Sequence, residues 1–324
     1  MSYLSRIHIR KSDCRVKASK GQHNCSETSL GGKNNNLFYE DSRKGNEIKH
    51  MKPNELKKIL SDIKSGEKAW ETEEKVLIVN SMIEQIGSID RELRDQLIYT
   101  SFFQLIIEKN LLEHELLTEL LEVALNDLLL KGIGEEGTDT VFTRSFTTLL
   151  IALILSRDNE DDFLNPNTIL RVMDKLMEYI TLEKDLRGFV PVKGWAHSIA
   201  HVADAFDELA KSKKVHKEHF GGMLRALWNK VLVSNSVYIH AEDERILVPI
   251  LEMLEQGLDI EELEFLLKQM PDVLKNRKSM IAEEEYWFLN ANCKMFLKTF
   301  LIEVQKNSKL LPVQKSIECC LQEI

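Results

Sequence analysis

GWAHSIAHVADAFDEL, residues 194–209, decides the fold, because at helical spacing it separates into stripes instead of alternating. Trp195, Ile199, Val202, Phe206 and Leu209 make an apolar seam along one side of a helix. Ala196, Ala200 and Ala203 make a small-residue stripe that lets a neighbouring helix approach closely. His197, His201, Asp204 and Glu208 fall on a third stripe, roughly opposite Trp195, so two imidazoles and two carboxylates share one face. The pattern predicts a helix over residues 194–211.

Three readings of the polar stripe stay open. A histidine pair at i, i+4 chelates a divalent ion in many helices, and Asp204 is one turn further on as a third ligand. The intervening glutamate of HExxH is missing, and a fourth ligand would have to come from elsewhere, from Glu242 or Asp243. Equally, these side chains could hydrogen-bond loop backbone and fix the turn of RGFVPVKGW against the core. The third reading is a groove for a peptide or small ligand. Asp185, Arg187 and Lys193 precede the helix and extend the same surface, with Lys193 an anion-attracting charge beside a helix start. A solvated linker is the plainer account of them.

From Met51 onward the pattern is helix after helix, each about 12 to 24 residues, joined by short connections as in stacked helical hairpins. Pro53 opens the first helix, and Ser88 reads as the N-cap of a later one. Val141, Phe142, Phe146, Leu149, Leu150, Leu153 and Ile154 leave one helix apolar almost all round, so it belongs at the centre. Its charge-free run, residues 145–156, is too short for a membrane span. Pro249 interrupts a helical run and predicts a kink. Hairpins recur at roughly 40-residue intervals, the period of HEAT and armadillo units. The expected fold is therefore all-α, a HEAT/armadillo-like stack forming an α-solenoid or compact helical superhelix. Residues 51–324 are expected to form a single helical domain, preceded by a disordered basic leader over residues 1–50 that is possibly not native.

Composition sets limits on function. Of 324 residues 43% are hydrophobic, with only 14 Gly and 6 Pro, which favours helices over a turn-rich sandwich or barrel. The first 50 residues carry ten Lys/Arg against five Asp/Glu, while the remainder carries 33 against 47. A body that acidic repels phosphate backbones, so nucleic acid is disfavoured as a partner. Five cysteines without a CxxC pair signal neither a zinc knuckle nor a disulfide framework, and reduced thiols fit a cytoplasmic location. Gly132, Gly134 and Gly137 spell GxGxxG, yet a Leu-rich helix precedes them and Glu135 and Glu136 would repel a pyrophosphate. They read as a helix stop followed by a loop. Arg144, a lone charge in apolar surroundings, should pair with a carboxylate or with loop carbonyls. In HAEDERI, residues 240–246, the three acids fit a helix start by dipole alone. No GxSxG elbow or activated cysteine appears.

GWAH…AHVAD…DEL resembles a bacterial family known only as a domain of unknown function, whose members carry a GWAHxxAHxAD core. GSIDRELRDQLIY (87–99), GIGEEGTDTVFTRSF (132–146), EKDLRGFVPVKGW (183–195) and, more weakly, EDERI (242–246) match the same family. The resemblance implies an all-helical, HEAT-like fold and supplies no activity. The leading expectation is a cytosolic binding or scaffold protein whose ligand is a protein or small molecule. Its surface would draw on Lys193, Trp195, His197, His201, Asp204, Glu208, Arg144 and Glu242. The alternative is a metal-dependent hydrolase-like enzyme with His197, His201 and Asp204 as metal ligands and Glu208 or Glu242 as general base. On the binding or scaffold reading, Asp95, Arg144, His197 and Glu242 should converge on one face, and scattering over unrelated faces would end that reading.

Overall fold

Local chemistry sets where each helix begins. Pro53 sits in the first turn of α1 (Pro53–Ser65), the Glu55 carboxylate accepts the Lys52 N–H at 3.2 Å, and Gly66 ends the helix with φ +84. A computed structural model describes residues 50–70 and 72–324. The leader expected over residues 1–50 lies outside the described residues, His50 excepted. After α2 (Thr72–Glu84) the chain forms one helical rod with wide π turns at Glu92–Ile98 and Gln104–Glu108 around α3 (Tyr99–Phe103). Asp90, not Ser88, caps this rod: its Oδ1 accepts from the N–H groups of Glu92 at 2.9 Å and Leu93 at 3.3 Å. Next come α4 (His114–Val123), α5 (Thr140–Asp161) and α6 (Pro166–Leu182), the last capped by the Asn165 side chain. A short antiparallel hairpin, β1 (Phe189–Val190) and β2 (Gly194–Trp195), leads into α7 (Ser198–Lys211). The chain closes with α8 (Phe220–Val231), α9 (Glu242–Glu255), α10 (Ile260–Arg277), α11 (Glu283–Val304) and α12 (Leu311–Glu323).

The helix predicted over residues 194–211 is shorter than its periodicity suggests. Gly194 has φ +84, and Trp195 is extended and paired with Phe189. The next amides are also taken by the preceding loop, Ala196 N–H to Gly188 O at 2.8 Å and His197 N–H to Arg187 O at 3.0 Å, so winding begins only at Ser198. Ile199, Val202, Phe206 and Leu209 are buried as the seam requires, while Trp195 leaves it and stays 39% exposed. The fully buried Ala200 and Ala203 sit on α7, which packs extensively against both α5 and α9.

The all-α reading holds, with almost no strand among the described residues. From Val141 to Leu155 every residue of α5 except Thr143 is buried, which makes α5 the central helix. It is long and apolar enough to cross a membrane, but 78% of its most apolar window is covered by the rest of the protein. Helices α5, α7, α9 and α11 contact one another in succession, while α6 packs on α8 and α10 on α12. One apolar cluster runs from Leu56 to Cys320. Helix α9 continues through Pro249 and α10 through Pro271.

Candidate functional site

Two buried arginines hold the segment between α6 and α7 in place. Arg144 of α5 is fully buried and makes a two-pronged pair with Glu183, Nε to Oε2 at 2.5 Å and Nη2 to Oε1 at 2.9 Å. It also donates to Thr140 Oγ1 at 2.9 Å and to Glu135 O at 3.0 Å, so the expected carboxylate and loop-carbonyl partners are both present. Asp185 accepts the Gly137 N–H at 3.0 Å and pairs with Arg187, whose Nη2 reaches Thr138 O at 2.7 Å. The glycines of residues 132–137 thus form a brace for this segment. Arg94, from the first π turn, is the second anchor. Its guanidinium donates to Ser88 O at 2.5 Å, Lys193 O at 2.6 Å and Trp195 O at 3.3 Å, and lies over the rings of Phe142 and Phe146. Beside it Asp95 is pushed up to about 6 by burial, against the opposing pull of Arg94 and the Trp195 N–H.

The segment so braced meets the start of α9. His197 and Ala241, the residues just before α7 and α9, both have left-handed backbone (φ 47 and 65), and so does Val192 at the hairpin tip (φ 70). Of the five non-glycine residues in that conformation among those described, three are therefore in this small region. The turns point His197, His240 and Glu242 at one another. His197 Nε2 lies 3.4 Å and His240 Nδ1 3.8 Å from Glu242 Oε1. The other carboxylate oxygen, Oε2, accepts the His240 N–H at 2.8 Å. The donor atoms of the three side chains all lie within 4.8 Å of one another. Trp195 stacks on His197 with ring centroids 4.4 Å apart and presents its face or edge to His240 at 5.4 Å. Gly188 forms the floor, where an added Cβ would lie 2.3 Å from His240 Nδ1 and 2.6 Å from Glu242 Oε1. Burial raises the Glu242 carboxyl, but the His197 ring and the His240 N–H outweigh it and leave it below the usual carboxylate range.

The residues picked from sequence are not all here. Trp195, His197 and Glu242 form the pocket, while Lys193 pairs with Asp139 on its rim at 2.7 Å. His201 is one turn deeper, buried between the rings of Phe146 and His197. Asp204 is bound two-pronged by Arg245. Glu208 lies at the far end of α7 on Lys211 and Asn159. The structure therefore groups His197 with His240 and Glu242 instead of with His201 and Asp204. Asp95, Arg144, His197 and Glu242 all bear on residues 183–197, directly or through one contact. The sequence alone does not single out His240, because a helix start accounts for HAEDERI by its acids, nor Gly188, because nothing local marks it. Arg94 is equally unmarked in the sequence, because Glu92, Asp95 and Gln96 beside it make it read as one of several surface charges. A separate groove, lined by Leu247, Leu251, Glu252, Ile302 and Glu303, holds none of these site residues.

Two expected results follow from these environments. Val192 is β-branched, 86% exposed and left-handed, so Val192→Gly should stabilise the protein by about 1 kcal/mol, read as a shift in urea midpoint. His201 is held well below the ordinary imidazole value by burial first, then by His197, Arg245 and Arg94. Its proton is therefore bound in the unfolded chain but not in the folded one, and stability falls as pH drops below about 6.5. Relative to His201→Phe, the native chain should lose melting temperature between pH 7 and pH 5. Parallel curves would mean that His201 is already charged when folded.

No curated protein and no solved structure matches the chain. The model of one family does match, over residues 129–302. That span takes in the glycine brace, α5, the hairpin, α7 and α9, and leaves the Arg94 segment outside. On that match the chain belongs to the family described as Protein of unknown function (DUF2785).

Proposed function

We propose that this protein is a helical binding module that takes a small polar ligand between Trp195, His197, His240 and Glu242. The observation that supports this is the concentration of left-handed backbone at Val192, His197 and Ala241, where two helix starts are turned to face each other over Gly188. Packing does not require such conformations, and strain of this kind collects where a site needs its side chains aimed. The succession α5, α7, α9, α11 with α6 on α8 is consistent with HEAT-like stacking, in which loops and helix starts along one edge carry the binding surface. The acidic body and the free Cys293, Cys319 and Cys320 favour a cytosolic setting and a partner other than nucleic acid.

A hydrolase reading has less support from the geometry. Arg245 holds Asp204, Glu208 is remote, and Glu242 itself faces both imidazoles, so none of these three carboxylates stands beside the histidines as a free general base. The binding reading is tested by thermal-shift measurements on the full chain with divalent metals, carboxylates and nucleotides. At least one class should raise the melting temperature of the native chain and leave Gly188→Ala unmoved, because the added methyl collides with His240 and Glu242 and pushes them out of position. A ligand that stabilises both chains equally would place binding elsewhere and end this reading.

A further inference from the structure

We propose that His197, His240 and Glu242 together bind a divalent transition-metal ion of the zinc class. This rests on the pocket just described and names its ligand.

The donor set comes first. Two imidazole nitrogens and one carboxylate oxygen are the ligands zinc takes when it keeps a coordination position open. Tetrahedral bonds of about 2.0–2.1 Å put neighbouring donors roughly 3.3 Å apart. Two of the edges are 3.4 Å and 3.8 Å, and no donor pair exceeds 4.8 Å. His240 is 27% exposed, and a small turn of its ring closes the triangle further.

A second observation is independent of this grouping. His197 Nε2 is buried and faces Glu242 Oε1 at 3.4 Å without forming a well-aligned hydrogen bond to it. A plain histidine–carboxylate pair would close that gap and satisfy the nitrogen. Here both rings converge on one oxygen while the other oxygen is already used by the His240 N–H. An ion between them satisfies the orphaned nitrogen and offsets the carboxylate charge at once. Gly188 lets His240 and Glu242 pack directly onto its backbone, since a Cβ there would collide with two of the three donors.

The support around the ligands fits the same purpose. The His197 backbone is tied to Arg187 O and its ring is pressed by Trp195, so the ligand is aimed before anything binds. His201 and Asp204, the partners suggested by spacing alone, are not part of the ligand set. Trp195, 39% exposed, is the side of the cluster that faces solvent.

The test uses the full chain, stripped with a chelator, and follows cobalt(II) by its visible d–d bands and zinc by titration calorimetry. Because the leader contributes His8, His23, Cys14 and Cys25, the reading is taken from variants and not from total metal. His240→Ala alters a half-exposed side chain and should leave the metal-free melting temperature within a few degrees. It should weaken zinc at least about 10–100-fold, the loss typical of removing even an outer partner of a ligand, and abolish the tetrahedral cobalt bands. His216→Ala, which removes an exposed histidine, should change neither. Metal binding that survives in His240→Ala unchanged, or the absence of any saturable binding by the native chain, overturns the proposal. If zinc fails while some other ligand stabilises the native chain and not Gly188→Ala, the pocket stands and only its metal is lost. If no ligand distinguishes those two chains, both readings fall together.

Discussion

Arg144→Ala should lower stability by about 3–5 kcal/mol, a large share of what a domain of this kind has. Neither Arg144 nor Glu183 exposes its side chain, so the variant strands a carboxylate in the interior with little beyond the Asp185 N–H at 2.9 Å for company. Arg144→Lys should fare almost as badly, because an ammonium cannot reach both Glu183 oxygens, Thr140 Oγ1 and Glu135 O at once. The loss should shrink when Glu183 is replaced by methionine in the same chain, since breaking a buried pair costs more than replacing it by apolar groups. Urea denaturation of the two single variants and the double variant measures this directly. Effects that add to within about 0.5 kcal/mol would mean the two side chains are not coupled.

Arg94→Leu should cost about 2–4 kcal/mol, and its local signature matters more than its size. The guanidinium satisfies the carbonyls of Ser88, Lys193 and Trp195 from one position, so the leucine leaves three acceptors without a donor and frees the hairpin from the π turn. Amide exchange at Trp195 and His197 should quicken well beyond the change at α11. The penalty also depends on pH. Asp95 already takes its proton near pH 6, and without Arg94 its carboxyl rises further, so the two chains differ most above pH 6 and converge below it as both become protonated. A variant whose exchange rises uniformly along the chain would show that Arg94 acts on global stability alone.

Much of the architecture is legible because helices write their buried face into the sequence. The periodic seam of α7 and the all-round apolarity of α5 correspond to the two helices at the centre of the stack. The error at residues 194–197 has a physical cause. Periodicity reports which residues face the core, and it cannot reveal that Gly188 O and Arg187 O claim the amides of Ala196 and His197. The site is legible only in part for a related reason. His197 and Glu242 stand out as residue types, but their meeting depends on Arg94 and Arg144, which draw together segments far apart in the chain. His201, Asp204 and Glu208 share a helix face with one another and still end up with three separate sets of partners: spacing fixes direction, while the neighbouring helices fix company.

The pocket is assembled from the starts of α7 and α9, and all of α8 lies between them in the chain. Unfolding therefore carries its two walls apart, so whatever grips His197 and Glu242 together behaves as a removable rivet. On the proposed reading, the supply of such a ligand would set how much of the chain is folded at a given temperature, and starving it would shorten the protein's lifetime before altering its shape.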